Sequence, residues 1–301
     1  MSAAFAPVVL DVDGSVGPLA GERRLPLAHW QEGVRFGCGL ATFRRFAQDM
    51  QRQLPAEHGT VLMGSGDFHH LSWPLIEQRI AAGGFSPARA LRVVVLDNHP
   101  DNMRFPWGVH CGSWVRRVAL HPAVAHVHVA GITSQDIGRG HAWENYLAPL
   151  RAGKLSYWSC GVDTAWAARV GAQQAFRSFA SVAELTQQLA RMLAAQPQPT
   201  YLSIDKDVFA PEVVRTNWDQ GRMQEDQALA IVAALSGQLA GSDITGDVSS
   251  WRYSTWWKRL MSAGDGQDTE IDAATLADWQ AGQHALNQRL VDRIAQAQAR
   301  A

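Results

Sequence analysis

Carboxylate and imidazole side chains alternate at the end of one strongly apolar run of the sequence. The stretch VVVLDNHPDN carries Asp97, His99 and Asp101 at every second position. If the backbone stays extended past the strand, these residues point to one side, and Pro100 favours this because it biases His99 away from helical geometry. Such a mixed set suits a divalent cation such as Mn, Fe, Zn, Ni or Co. A polar turn is the alternative interpretation, since Asp, Asn and Pro also favour turns.

Two further apolar runs end in the same kinds of side chain. Asp205 and Asp207 follow the run in YLSIDKDV, and His69 and His70 follow the glycines of VLMGSGDF. Together the three strand ends offer more carboxylates and imidazoles than one metal ion needs. Two ions that share bridging carboxylates would account for the surplus. The pattern leaves open which of the two adjacent histidines is a ligand.

These motifs lie within an alternation of strand-like and helix-like segments. Short β-branched runs predict strands at 7–12, 60–64, 92–97, 126–131, 200–205 and 242–248. Amphipathic segments predict helices at 40–54, 71–82, 181–196 and 223–240. The alternation predicts a three-layer α/β/α fold with a mostly parallel sheet, in which ligands bind beyond the carboxyl ends of the strands. No linker or internal repeat interrupts it, so a single domain over 1–301 is predicted.

The amino-acid composition indicates which class of molecule the protein binds. Lys and Arg total 27 against 28 for Asp and Glu, so there is no net field to attract nucleic acid or an anionic membrane. No stretch reaches about 18 apolar residues and the N-terminus has no basic signal region, which predicts a cytoplasmic protein without a membrane partner. The three cysteines are widely spaced, which favours neither a disulfide framework nor a cysteine zinc site. A small molecule is the expected partner.

The motifs, in this order, resemble those of the arginase and agmatinase superfamily of binuclear-metal ureohydrolases. GSGDFHH resembles the family's Gly-Gly-Asp-His-Ser, LDNHPDN its Asp-Ala-His-x-Asp, and LSIDKDVFAP its Ser-x-Asp-x-Asp-x-x-Asp-Pro. In GVHCGSW, His110 stands where the family places a histidine after its second motif. The resemblance spans roughly 60 to 250 and implies an arginase-like fold.

The resemblance also implies a ligand set for two divalent ions, with Mn²⁺ preferred and Ni²⁺, Zn²⁺, Fe²⁺ or Co²⁺ as alternatives. Asp97 and Asp205 would bridge the ions. His69 and Asp101 would complete one shell, with His69 preferred over His70 because it leaves "HL" aligned with the residues that open the next helix. The six implied ligands are His69, Asp97, His99, Asp101, Asp205 and Asp207.

The reaction implied by the resemblance is hydrolysis of a small guanidino compound. A metal-bridging hydroxide would attack a guanidino, amidino or formimino carbon and release urea, or a similar small product, and an amine. Asp101 would hold the water and His110 would move protons. Asp247 would be the substrate-side acid if one residue is inserted, whereas that acid is missing if Gly246 aligns instead. Whether the chain forms a homo-oligomer, like the trimers and hexamers of the similar family, stays open.

Departures from the family motifs keep other functions open. Ala210 replaces the last aspartate of the third motif, and EVVRTNWDQG only loosely resembles the family's pocket loop. An amide deacetylase of the same fold and a metal-retaining protein without catalysis are therefore alternatives. Asp11 and Asp13 resemble the first motif of haloacid-dehalogenase-type phosphatases, but the lysine and late acidic pair that this chemistry needs have no convincing counterpart.

The sequence contains 12 tryptophans, an unusually large number for its length. Most are expected to be packing residues. Trp107, Trp218 and Trp251 fall after predicted strand ends, where they would offer a π face to a cationic substrate and crowd the pocket in favour of a small or flat one.

Overall fold

A computed structural model describes residues 6–264 and 271–299. The two ends of the predicted 1–301 domain, together with 265–270, lie outside the described part. The strands of the described part are β1 Val8–Asp11, β2 Arg23–Pro26, β3 Gly37–Cys38, β4 Val61–Leu62, β5 Leu91–Leu96, β6 Val109–His110, β7 Val124–Ile132, β8 Leu155–Cys160, β9 Phe176–Phe179, β10 Thr200–Asp205 and β11 Leu239–Thr245. The α-helices are α1 Gln31–Val34, α2 Leu40–Gln53, α3 Ser72–Ala82, α4 Val115–Ala119, α5 Leu147–Arg151, α6 Val182–Ala195, α7 Glu225–Ala234, α8 Trp256–Gly264 and α9 Ala273–Gln298.

Nine of these strands form one sheet in the order β2-β1-β4-β11-β10-β5-β7-β8-β9. Every neighbouring pair in this sheet is parallel, while β3 and β6 form a separate antiparallel pair. Parallel strands need crossover connections, and helices supply most of them. The predicted fold class is confirmed.

The two faces of the sheet are covered by different sets of helices. Val93 and Val95 of β5 belong to the core with α2, α3 and α4, whereas Val94 and Leu96 belong to the core with α6, α7 and α9. This alternation is the period of two that a strand imposes on its side chains. Because both faces are buried, β5 is apolar at almost every position.

Each of the six predicted strands is present, but some of their bounds differ from the prediction. The structure also contains strands that were not predicted. The predicted helix 223–240 is too long, because α7 ends at Ala234 and Gly237 follows with φ 76°, a conformation that ends helices. The last two residues of that prediction instead begin β11. β2, β8 and β9 were not among the predicted strands.

The centre of the sheet brings four strand ends together. β4, β11, β10 and β5 are adjacent and parallel, so their carboxyl ends lie along one edge. A 3-10 helix over Gly66–Leu71 follows β4, Asp97 follows β5, and Asp205 ends β10. Among the described residues, no helix combines the length and the apolar character that crossing a bilayer requires.

Candidate metal centre

One group of ligand atoms gathers around His69. Its Nδ1 lies 2.8 Å from Asp101 Oδ2, 3.1 Å from Asp97 Oδ2 and 3.4 Å from Asp205 Oδ2. All four residues are buried. The 3-10 helix after β4 aims the imidazole at the ends of β5 and β10, so residues far apart in sequence meet at one point.

A second group gathers around His99 and shares Asp97 with the first. His99 Nδ1 lies 2.9 Å from Asp207 Oδ2 and 3.6 Å from Asp97 Oδ1. Ligand atoms of Asp97, His99 and Asp207 all lie within 4.8 Å of one another, as do those of His69, Asp97 and Asp101. The structure thus brings the six residues predicted from the motifs into two adjoining groups.

The backbone path that carries Asp101 to its ligand group is not the predicted one. The backbone does not stay extended after β5: Asp101 adopts φ 46°, in the left-handed region that Asp tolerates better than most residues. Val115 N donates a hydrogen bond to the Asp101 carbonyl, and Trp114 Nε1 donates to its Oδ2. A turn, rather than alternation along an extended strand, therefore places this carboxylate.

The electrostatics of the site fit divalent cations. Burial, together with the charge of Asp97, raises the pKa of Asp101 to about 7 and that of Asp207 to about 6. Burial alone would lower the pKa of His69 and His99, but the carboxylates reverse this and raise both well above the usual range. Four buried carboxylates stand around two imidazoles, so negative charge is in excess, and a divalent cation would offset it.

A buried chain of hydrogen bonds orients His69 from behind. Its Nε2 lies 3.0 Å from Ser203 Oγ, and Ser203 Oγ donates to Asp243 Oδ1 at 2.6 Å. Burial raises the pKa of Asp243, while hydrogen bonds from Ser203, Tyr201 and Ser72 act in the opposite direction. Because the Ser203 proton goes to the carboxylate, Ser203 accepts from His69 Nε2, and His69 Nδ1 is free to present its lone pair to a cation.

Neither Ser203 nor Asp243 was singled out from the sequence. Each is a polar residue inside a buried apolar strand, and the two are direct partners in the pairing of β10 with β11. A buried polar residue needs a hydrogen-bond partner. A polar residue within an apolar run is therefore the sequence feature that could have drawn attention to Ser203 and Asp243.

The two adjacent histidines have different surroundings. His70 is fully buried and stands 5.9 Å from the Phe43 ring, and burial lowers the pKa of its imidazole well below the usual value. It takes no part in the two ligand groups. His69, the preferred candidate, is the one placed among the carboxylates.

His110 lines the same cavity as the ligands. Its ring packs edge-on against Phe105 at 4.7 Å, and its Nδ1 accepts a hydrogen bond from Gly112 N. Burial lowers the pKa of His110 to about 4. The imidazole is therefore neutral near pH 7.

Asp247 is not placed as the sequence suggested. It is 1% exposed and pairs with Lys206 Nζ at 2.7 Å, while Asn287 donates to its Oδ1. The carboxylate is absent from the cavity lining. Gly246 has φ 92°, and a Cβ there would come 2.5 Å from Asp205 Oδ1. In the described part of the chain, neither position therefore supplies the substrate-side acid, and Asp247 balances a buried lysine instead.

The cavity above the ligands has a volume of about 440 Å³. Trp107 and Trp218 line it, as does Trp143, whereas Trp251 lines a separate small cleft beside Arg35. The lining of the cavity above the ligands also includes carboxylates that belong to neither ligand group. The sequence did not reveal these residues, which are Asp136, Glu144 and Asp219. Asp136 and Glu144 lie on short 3-10 helices and Asp219 lies on a loop, and such short connecting segments have no periodic pattern that marks a residue as part of a site.

Asp11 and Asp13, the residues of the phosphatase-like motif, lie elsewhere. Asp11 pairs with Arg24 at 3.1 Å. Asp13 accepts hydrogen bonds from Ser65 N and Ser249 Oγ. Neither lines the metal cavity.

Comparison with known proteins identifies the fold. No family model matches the chain. An uncharacterized protein of Thermotoga maritima is 24% identical over 215 residues, covering 71% of this chain and 67% of that protein.

Three solved structures cover nearly the whole chain at low identity. Proclavaminate amidino hydrolase from Streptomyces clavuligerus has a TM-score of 0.55 and 16% identity, with 97% of this chain and 93% of that chain covered. Formimidoylglutamase from Bacillus subtilis has a TM-score of 0.51 and 13% identity, with 98% and 86% covered. A hypothetical agmatinase from Burkholderia thailandensis has a TM-score of 0.50 and 16% identity, with 98% and 87% covered. The predicted arginase-like fold is confirmed.

Proposed function

Because the chain has the arginase-like fold, we propose that it is a binuclear-metal hydrolase acting on the carbon of a guanidino, amidino or formimino group. One observation carries the proposal: the two ligand groups adjoin and share Asp97. A carboxylate has two oxygens, so a single residue can serve both ions. The amidino hydrolase, formimidoylglutamase and agmatinase named by the similar structures support the same class of substrate.

The two ligand groups could hold two divalent ions. His69 and Asp101 would hold one ion and His99 and Asp207 the other, with Asp97 and Asp205 available to both. When bound, such ions lower the pKa of a water molecule far enough to supply hydroxide near neutral pH. The mixture of oxygen and nitrogen donors suits Mn²⁺, Ni²⁺, Zn²⁺, Fe²⁺ or Co²⁺.

The chain's own residues supply orientation and proton transfer. Trp114 Nε1 donates a hydrogen bond to Asp101 Oδ2, which fixes the position of the carboxylate that would hold the nucleophilic water. His110, neutral and at the cavity wall, takes or returns the proton of the leaving amine. Because Asp247 is engaged by Lys206, negative charge for a cationic substrate comes from the cavity carboxylates. One of these carboxylates, Asp136, places its Oδ2 4.0 Å from His99 Nε2.

The proposal is tested by counting metals and screening substrates. Purified protein loaded with Mn²⁺ or Ni²⁺ should hold two ions per chain and should release urea, ammonia or formamide from guanidino or formimino compounds. Asp97→Ala and Asp205→Ala should each lose metal and activity. Asp163→Ala is the matched control, because Asp163 is an exposed carboxylate just beyond the end of β8.

Three outcomes would contradict the proposal. One tightly bound zinc with amide hydrolysis would favour the deacetylase alternative. Two bound ions with no turnover of any compound would favour a non-catalytic protein. Unchanged metal content in Asp97→Ala or Asp205→Ala would refute the bridging assignment.

A further inference from the structure

A second cavity adjoins the metal cavity and is apolar throughout its described lining. It has a volume of about 430 Å³. None of its described lining residues is charged; they are Cys38, Gly39, Phe105, Trp107, Trp256, Trp257 and Met261. We refer to this space as the apolar annex.

The annex and the metal cavity share part of their walls. Phe105, Trp107 and Met261 line both spaces. The Phe105 ring stands 4.7 Å from His110 on the metal side and 6.3 Å from Trp257 on the annex side. Trp107 is 78% exposed, so its ring can rotate without disturbing the core. The two spaces therefore meet at Phe105 and Trp107, and movement of the exposed Trp107 ring would open a path between them.

The polar groups next to the annex are not available to a ligand. Lys258 Nζ donates to the carbonyl oxygens of Glu32 at 2.6 Å and Arg35 at 2.9 Å, which ties α8 to the end of α1. Burial raises the pKa of the Cys38 thiol to about 11, so Cys38 is an uncharged wall and not a nucleophile. The annex therefore presents only apolar and aromatic surface to a ligand.

We propose that the annex is a subsite for an apolar tail of the substrate. This inference rests on the proposed function, and the substrate class would then be an alkyl- or arylalkylguanidine or the corresponding amidine. The head group lies at the metal ligands and the tail lies against Trp256 and Trp257. Exposed aromatic surface of this size is costly in water, and a hydrocarbon tail would cover it. A diamine-like or amino-acid tail would bring a charged end into a space without a countercharge.

Binding measurements on the metal-loaded protein test this without requiring turnover. The probes are methylguanidine, butylguanidine, pentylguanidine and phenylpropylguanidine, with agmatine as the polar counterpart of pentylguanidine. Affinity by titration calorimetry should rise roughly fourfold per added methylene, which is the effect of burying one CH₂ group. Pentylguanidine should bind more tightly than agmatine, and the heat capacity change should become more negative with tail length.

Variants locate the subsite. Trp256→Ala should flatten the dependence on tail length with little risk to folding, because Trp256 is 74% exposed; Trp257→Ala should do the same. Trp143→Ala is the matched control, since Trp143 is 69% exposed and lines only the metal cavity. It should leave the ratio of phenylpropylguanidine to methylguanidine affinity unchanged.

The outcomes separate this inference from the proposed function. If no compound is hydrolysed but affinity still rises with tail length, the proposed hydrolase fails and the apolar subsite stands. If guanidines are hydrolysed but affinity is independent of tail length, or agmatine binds as tightly as pentylguanidine, the subsite is overturned. A dimer that Trp256→Ala dissociates, with no dependence on tail length, would also overturn it and make the annex a contact between copies.

Discussion

Replacing Ser203 by alanine tests the claim that the hydrogen-bond chain behind His69 prepares it as a ligand. Ser203 Oγ stands 3.0 Å from His69 Nε2 and donates to Asp243 at 2.6 Å. Ser203→Ala removes both contacts and leaves the His69 ring free to change tautomer or rotate. Asp243 keeps hydrogen bonds from Ser72 and Tyr201, so the damage should be concentrated at His69.

The expected magnitude follows from the group that loses its partner. A buried donor left without an acceptor costs about 1 to 3 kcal/mol. His69 Nε2 has no alternative acceptor among its described hydrogen bonds. If the whole cost appears in metal binding, affinity should fall roughly 10- to 100-fold, the range for lost support of a metal-bound histidine.

The assay is calorimetric titration of metal-free protein with Mn²⁺. Ser242→Ala is the matched control, because Ser242 is also a buried serine on a neighbouring strand, but its hydroxyl donates to Thr60 Oγ1 at 3.0 Å, away from the ligands. Wild-type affinity in Ser203→Ala, or an equal loss in Ser242→Ala, would show that the chain does not act on the metal centre.

Further predictions concern the ligands, the pH dependence of stability and the buried ion pair. His99→Ala should leave about one ion per chain, whereas Asp97→Ala should leave less than one, as measured by mass spectrometry of bound metal. Burial lowers the pKa of His110 from 6.5 to about 4, so the folded state favours the neutral imidazole and the unfolded state binds more protons in acid. The free energy of unfolding should therefore fall as pH drops below 6.5, by about 3 kcal/mol in total near pH 4, and His110→Gln should lessen that fall in urea titrations; an unchanged pH profile would contradict it. Lys206→Met should lower the free energy of unfolding by about 3 to 5 kcal/mol, because the Asp247 carboxylate would stay buried without its cation. Asp247→Asn should also destabilise the protein while leaving metal content intact, and loss of metal in that variant would restore a role for Asp247 at the site.

Much of the metal centre was accessible from the sequence because its ligands follow buried strands. An apolar run that ends abruptly in Asp or His can be recognised without knowing its neighbours, as at Asp97 and Asp205. The carboxyl ends of parallel strands share one edge of the sheet, so ligands at separate strand ends can be expected to meet. His69, after β4, follows the same rule.

The substrate side was much less accessible. Asp136 and Glu144 lie on short 3-10 helices and Asp219 lies on a loop, and the paths of such connecting segments have no periodic signature. The family resemblance offered Asp247 as a substrate-side acid if one residue is inserted, but the left-handed backbone of Gly246 precedes it and Lys206 holds its carboxylate. A local pattern cannot reveal a partner that reaches the same point from another strand.

The amino-acid sequence by itself determined the main strands and helices and the parallel sheet, because these depend on local periodicity and on burial of apolar runs, and its motifs supplied the candidate ligands. Tertiary structure alone decided which side chains meet. His99 and Asp207 are 108 residues apart in sequence and lie 2.9 Å apart in space, since β10 pairs with β5 in the centre of the sheet. The same long-range packing placed Ser203 behind His69, turned Asp247 toward Lys206 and set the apolar annex beside the metal cavity.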